Sequence, residues 1–105
     1  MAYGLTESEI AGLRRIFSKH REVEKAVLFG SRARGNHCAY SDIDIALYGA
    51  GLDMDAKWAL EDEVDGLLLP YKADLSLAGH ISSPLIAEHI KNDGVTLYER
   101  GGHAD

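Results

Sequence analysis

The sequence predicts an α+β fold, close to α/β in its alternation, in which helices back a small mixed β-sheet. Apolar residues recur at helical spacing in three segments, and short β-prone runs that end at or near glycine lie between them. The chain has 105 residues and is 46% hydrophobic, which is enough to bury one core and not two. We therefore expect residues 1–105 to form a single domain.

An amphipathic helix is predicted over about residues 7–20. Thr6 and Glu9 have the spacing of a capping box at its start. Apolar residues at helical intervals give it a buried stripe, namely Ile10, Leu13, Ile16 and Phe17.

Two strands flanking a glycine-bounded turn are predicted next. The first strand runs from Glu24 to Phe29, and Gly30 ends it. Residues 31–35 are expected to form a turn or a single helical turn, and residues 36–40 a loop. The second strand runs from Asp42 to Tyr48.

A second long helix is predicted from about Met54 to Leu69, with Asp53 as its N-cap and Pro70 as its end. Its apolar surface is assigned to Trp58, Leu60, Val64, Leu67 and Leu68. A third strand follows from Lys72 to Leu77, ended by Gly79.

The last two elements are predicted to be a helix and a short edge strand. Ser82 or Ser83 followed by Pro84 is a helix start, and Gly94 fits its C-terminal cap. The buried side of this helix is assigned to Leu85, Ile86 and Ile90. The strand covers Val95–Glu99, and the tail that begins at Arg100 is expected to be disordered.

Composition excludes several classes of protein. The net charge of −6 argues against a general nucleic-acid binder, because such binding depends on basic residues that neutralise phosphates. One cysteine cannot form an internal disulfide, so a reducing cytoplasm is the expected location. The N-terminus lacks the pattern of a signal peptide, and no apolar run approaches the ~18 residues of a membrane span.

Paired carboxylates mark the second strand. Because successive side chains of a strand point to opposite faces, Asp42 and Asp44 share one face, roughly 7 Å apart, while Ile43 and Ile45 face the core. Like charges at this separation repel unless a hard cation lies between them, and carboxylate oxygens suit Mg²⁺.

A third carboxylate fits the same site. If the third strand pairs beside the second, Asp74 joins the polar face that carries Asp42 and Asp44. Three carboxylates could then hold two metal ions about 4 Å apart, as in phosphoryl-transfer sites. Asp74 could also accept the proton of an attacking hydroxyl.

The turn before these aspartates has the composition of a phosphate site. Gly30 and Gly35 allow a close approach of backbone to phosphate, and Ser31 could add a hydroxyl and free N–H groups. Arg32 and Arg34 add positive charge. The Gly-Lys-Ser/Thr ending of a P-loop is absent, which excludes that mechanism.

The run Gly30-Ser31-Arg32-Ala33-Arg34-Gly35, then five residues and Ser41-Asp42-Ile43-Asp44, resembles the motif of the polymerase β-like nucleotidyltransferases. The small size is similar to the minimal nucleotidyltransferase (MNT) branch, and the resemblance covers about residues 24–78. It implies the family's short mixed sheet backed by helices. It also implies that Gly30-Ser31 holds the nucleotide phosphates and that Asp42, Asp44 and Asp74 hold Mg²⁺.

Many minimal members of that family are antitoxins paired with a HEPN ribonuclease toxin, and some transfer AMP to a toxin tyrosine. The resemblance therefore predicts an Mg²⁺-dependent nucleotidyltransferase that uses ATP and modifies a HEPN-type partner. Two alternatives stay open: an antitoxin that only occludes its toxin, and a transferase for a small molecule such as an aminoglycoside. We expect the acceptor to be presented by another molecule or across a homodimer.

Overall fold

Four helices and four strands alternate along the chain in the computed structural model, which describes residues 3–35 and 42–100. The helices are α1 (Glu7–Lys19), α2 (Ser31–Arg34), α3 (Met54–Asp65) and α4 (Pro84–Asp93). The strands are β1 (Lys25–Phe29), β2 (Ile43–Tyr48), β3 (Ala73–Leu77) and β4 (Val95–Glu99). The predicted element order and α+β class are confirmed. None of the described helices is long and apolar enough to cross a bilayer.

The four strands form one mixed sheet in the order β3-β2-β1-β4. The short connection through α2 returns the chain antiparallel, so β1 pairs antiparallel with β2. The longer connection through α3 is a crossover, and it places β3 parallel to β2. β4 pairs antiparallel with β1 at the sheet edge, as predicted.

The hydrophobic core lies on one face of this sheet. Alternate residues of β2, namely Ile43, Ile45 and Leu47, belong to it together with buried residues of α1 and α3. The capping box at the start of α1 is present as predicted, with Thr6 and Glu9 each accepting a hydrogen bond from the other's backbone N–H. The opposite face of β2 carries Asp44, as predicted, while the strand begins at Ile43 and leaves Asp42 just before it.

Helix α3 ends earlier than the sequence predicts. It ends at Asp65 rather than at Leu69, and Gly66 rather than Pro70 follows its last residue. The Gly66 N–H lies within hydrogen-bonding distance of the carbonyls of Asp62 and Glu63. The chain then turns through Leu68, whose φ is 55°, toward β3. Composition alone does not reveal a turn built from backbone hydrogen bonds.

Two apolar residues assigned to the buried surface of α3 are exposed. Leu60 and Val64 are buried as predicted, but Trp58 is 57% exposed and Leu68 is 86% exposed. Trp58 and Leu60 are two positions apart, which places them about 200° apart around the helix. Burial of Leu60 therefore turns Trp58 outward.

Helix α4 has the predicted caps but not the predicted burial. Ser83 caps its start and Gly94 its end, yet Leu85 and Ile86 are 62% and 39% exposed. The helix contacts β1, and a Cβ on Gly94 would lie 2.7 Å from Val27 Cγ1. The close approach is at the last turn, which leaves the first turn in solvent.

Some predictions fall on residues that the structure does not describe. The loop predicted over residues 36–40 lies outside the described residues, and so do residues 101–105 of the predicted disordered tail. Arg100, which begins that tail, is instead held in place. Its backbone N–H donates to the Glu24 carbonyl at 2.8 Å.

An ionic cluster joins the end of α1 to α3. Lys19 Nζ lies 2.9 Å from Glu63 Oε1, and His20 Nε2 lies 2.5 Å from Glu63 Oε2. The paired Lys19 ammonium and then the hydrogen-bonded His20 lower the pKa of the Glu63 carboxyl from its ordinary value. The cluster therefore fastens together the two helices that cover the core.

Replacing Glu63 with Gln should lower the free energy of unfolding at pH 7 by about 1 kcal/mol or less, since partly exposed ion pairs contribute little. Because its folded-state pKa is lowered, Glu63 contributes stability above its unfolded-state pKa, and that stability is lost as pH falls through the folded-state pKa. The difference from wild type should therefore shrink below about pH 4.3. Urea unfolding across this pH range measures it.

The matched control is Glu61→Gln, which removes an i,i+4 pair with Lys57 within α3. We expect a smaller loss, about 0.3–0.5 kcal/mol. A Glu63→Gln difference that is independent of pH would contradict the role given to this cluster.

Candidate active site

Two aspartates lie side by side on the polar face of the sheet. Asp44 of β2 and Asp74 of β3 are direct partners in the parallel register, so their side chains point to the same face from strands about 4.8 Å apart. Asp44 is half-buried, and Asp74 is exposed. The predicted pairing of the two aspartate-bearing strands is therefore present.

Asp42 lies immediately before β2 and is exposed. Burial raises the pKa of the Asp44 carboxyl from its ordinary value, and the negative charges of Asp74 and then Asp42 raise it further. Asp74 and Asp42 are thus close enough to act on the Asp44 carboxyl. Their oxygens do not converge into a metal cage, since no three His, Cys, Asp or Glu side chains within residues 3–35 and 42–100 do so.

The turn over residues 30–35, here called the glycine turn, lies against Asp44. β1 ends opposite β2 with Phe29 and Asp44 as register partners, so the next residue, Gly30, approaches the aspartate. Gly30 has φ +83°, and a Cβ there would lie 2.6 Å from Asp44 Oδ2. Only glycine fits both the backbone conformation and the space.

The rest of the glycine turn is the single helical turn α2, closed by Gly35 with φ +82°. Arg34 is exposed, and its Nη1 lies 3.3 Å from His89 Nδ1 on α4. The predicted turn is therefore formed, and Arg34 is on its outer side. The structure describes the backbone of Ser31, which begins α2.

Arg32 is placed differently from Arg34. It is 1% exposed, its Nη1 donates to the Tyr3 carbonyl at 2.9 Å, and its Cζ lies 4.4 Å from the centre of the Tyr71 ring. Contact with a nucleotide phosphate, which the sequence predicts for Arg32, would require the side chain to leave these contacts.

Two residues linked to the glycine turn, Tyr71 and Glu9, were not predicted as site residues from the sequence. Glu9 was assigned only to the capping box of α1. Their further contacts depend on strand pairing and on the packing of α1, which spacing along the chain does not reveal. The position of Tyr71 just before the strand of Asp74 was the one available indication.

Comparison with known proteins places this geometry in a family. The model of the family described as Polymerase beta, Nucleotidyltransferase matches residues 12–102. A solved toxin-antitoxin structure with AMP-PNP is similar at 28% identity and a TM-score of 0.68, covering 92% of this chain and 76% of that chain. No curated protein sequence matches the chain.

Two further solved structures are similar. One is a tri-AMPylated Shewanella oneidensis HEPN toxin in complex with MNT antitoxin, at 26% identity and a TM-score of 0.60, covering 89% of this chain and 69% of that chain. The other is a putative nucleotidyltransferase from Sulfolobus solfataricus, at 20% identity and a TM-score of 0.52, covering 100% and 95%. The second likeness shows the fold alone.

A matched glycine pair tests the contact between Gly30 and Asp44. Gly35→Ala should cost about 1–2 kcal/mol of stability, because it adds left-handed strain with no neighbour within 4 Å of the new Cβ. Gly30→Ala should cost about 0.5–1.5 kcal/mol more, because the Asp44 carboxylate must also rotate away from the new Cβ. Urea unfolding measures both, and adding Asp44→Ala should recover the excess. Equal losses of stability in Gly30→Ala and Gly35→Ala would show that the Asp44 side chain does not add to the cost at Gly30.

Removing the Asp44 charge should stabilise the fold. Because its folded-state pKa is raised, the free energy of unfolding falls as pH rises from the unfolded-state to the folded-state pKa of Asp44, so the charge is destabilising at pH 7. Asp44→Asn should raise the free energy of unfolding at pH 7 by about 0.5–2 kcal/mol. Thermal unfolding measures it against Asp62→Asn on α3, and a loss of stability would contradict the expectation.

Proposed function

The chain belongs to the polymerase β nucleotidyltransferase family, and we propose on this basis that it transfers AMP from ATP to a hydroxyl group of a HEPN-type partner, acting as its antitoxin. The observation that carries the proposal is the contact between the glycine turn and Asp44, beside Asp74. This contact puts a candidate phosphate site and candidate metal ligands at one end of the same sheet.

Asp42, Asp44 and Asp74 are the residues that would hold Mg²⁺, and their side chains would have to rotate to bring together oxygens that do not converge in the described structure. All three supply only carboxylate oxygen, the donor that Mg²⁺ prefers, and the charges of Asp74 and Asp42 already act on Asp44. Two ions, when bound, would offset charge on the triphosphate and make the acceptor hydroxyl more acidic. A bound cation would also relieve the repulsion from Asp74 and Asp42, which adds to the effect of burial in raising the pKa of Asp44.

The glycine turn would hold the nucleotide phosphates. Backbone N–H groups at Gly30 and Ser31 are the proposed donors, with the exposed Arg34 adding positive charge from the outer side. Arg32 was predicted for the same task. It remains a candidate only in a state in which it leaves its buried contacts.

The reaction is a displacement at the α-phosphorus of ATP. The acceptor oxygen forms a bond to that phosphorus, the bond to the bridging oxygen of the β-phosphate breaks, and pyrophosphate leaves. Asp74 is the proposed acceptor of the hydroxyl proton, since it is exposed and lies at the edge strand of the site. Asp44 is half-buried between Gly30 and Asp74, and its proposed role is to fix the position of the glycine turn that would hold the phosphates.

The partner is proposed from the similar structures. One of them contains a tri-AMPylated HEPN toxin with its MNT antitoxin, and another is a toxin-antitoxin structure with AMP-PNP. A tyrosine hydroxyl of a HEPN-type protein is therefore the acceptor to test first.

The decisive experiment is label transfer from [α-³²P]ATP with Mg²⁺ to a HEPN-type protein encoded beside this chain. Wild type should label the partner, and Asp42→Asn with Asp44→Asn should reduce labelling by about 10³-fold or more, the scale of losing electrostatic stabilisation at a reacting centre. Asp55→Asn with Asp62→Asn, two exposed aspartates of α3, is the charge-matched control and should label normally.

Labelling that persists in the Asp42/Asp44 variant would refute the mechanism. Protection of cells from the toxin by that variant would favour occlusion without catalysis. Labelling of cationic sugars in place of the protein would identify a small-molecule transferase instead.

A further inference from the structure

A buried arginine connects the glycine turn to the rest of the site. Arg32 is the largest side chain among the residues that the structure describes as fully buried. Burial of a guanidinium is costly unless polar and aromatic contacts replace its hydration. The contacts that Arg32 makes therefore indicate what its burial accomplishes.

The contacts of Arg32 join the glycine turn to two other segments of the chain, the one before α1 and the one before β3. Arg32 Nη1 donates to the Tyr3 carbonyl, which lies before α1, and the guanidinium stacks on Tyr71, which lies before β3. The Tyr71 hydroxyl donates to Glu9 Oε1, and the same oxygen accepts the Thr6 N–H at 2.9 Å. A continuous set of contacts thus runs from the glycine turn to the start of α1 and the start of β3.

The position of Tyr71 affects the position of Asp74, because Tyr71 lies just before β3. The next residue, Lys72, accepts a hydrogen bond at its carbonyl from Ile43 N at 2.8 Å, which is where β3 joins β2. Asp74 follows two residues later, and each strand residue advances the chain about 3.3 Å. Fixing Tyr71 therefore fixes the start of the strand that carries the third aspartate.

We infer that Arg32 is a positioning residue that acts through Tyr71, clamping the glycine turn at a set distance from Asp74. The inference rests on the proposed function, because the set distance matters only if phosphates bind at the turn and Asp74 acts on the acceptor. It assigns Arg32 a role distinct from that of the exposed Arg34. It also gives Tyr71 and Glu9 a role beyond packing and capping.

The test is a double-mutant cycle of Arg32→Lys and Tyr71→Leu in the transfer assay. Lysine keeps the charge but loses the planar stacking, and leucine removes the ring. Each single variant should lower kcat about 10–100-fold, the effect of misplacing a reacting group by about 1 Å, with the KM for ATP within about threefold of wild type. The double variant should lose no more than the worse single variant.

Two further variants separate positioning from general damage. Tyr71→Phe keeps the ring under Arg32 but loses the hydrogen bond to Glu9, so its kcat should fall between that of wild type and that of Tyr71→Leu. Tyr48→Leu removes another cation–aromatic contact, with Lys25 at 4.9 Å from the ring centre, at the other end of β2, and should leave kcat unchanged.

Direct phosphate binding by Arg32 would give a different result. The KM for ATP would rise in Arg32→Lys, Tyr71→Leu would be silent, and the two effects would add; this result would overturn the inference.

Amide hydrogen exchange on the free chain keeps the test independent of turnover. The amides of Arg34 and Gly35 close α2, and they should exchange about tenfold faster in Tyr71→Leu than in wild type. Their exchange rates in Tyr48→Leu should equal those of wild type. Unchanged exchange in Tyr71→Leu would refute the clamp even if transfer occurs. Wild-type protein that transfers no AMP would refute the proposed function while leaving the exchange result to stand.

Discussion

The contact between Gly30 and the Asp44 carboxylate is the constraint on which the site depends. Antiparallel pairing of β1 with β2 places Phe29 opposite Asp44, so the chain must leave β1 through a residue that fits beside a carboxylate. Gly30 has no Cβ to meet the carboxylate, and it adopts the left-handed backbone conformation that the turn requires there. The pairing of β1 with β2 therefore joins the glycine turn to Asp44, and the pairing of β2 with β3 places Asp74 next to Asp44.

This arrangement concentrates negative charge at one end of the sheet, on the face opposite the core. Asp44 is half-buried beside two other carboxylates, which disfavours its charged form. The fold tolerates this because the apolar residues of β2 and β3, among them Ile43, Ile45 and Leu75, are buried on the other face. Stability comes from that core, and the polar face is free to carry residues that repel one another. Such a division is common where activity requires a destabilised site.

The sequence was informative wherever structure follows from local pattern. Strand alternation predicted which face carries Asp42 and Asp44, hydroxyl and acidic residues predicted the helix caps, and the motif predicted the family. It was uninformative where packing between distant segments determines which side chains are buried. The exposure of Leu85 on α4 and the burial of Arg32 depend on contacts with residues far away in the chain. The helical spacing of apolar residues says that a helix has an apolar face, but not how much of that face a small sheet can cover.

The two arginines of the motif illustrate this limit. Arg32 and Arg34 are the same residue type two positions apart, and composition predicts the same phosphate contact for both. In a single helical turn, two positions correspond to about 200°, so the side chains must leave the turn on opposite sides. One side of the glycine turn faces Tyr3 and Tyr71, and the other faces solvent near His89. A motif that alternates arginine across one turn can therefore supply an internal brace and an external charge at once, and the geometry of the turn decides which arginine does which.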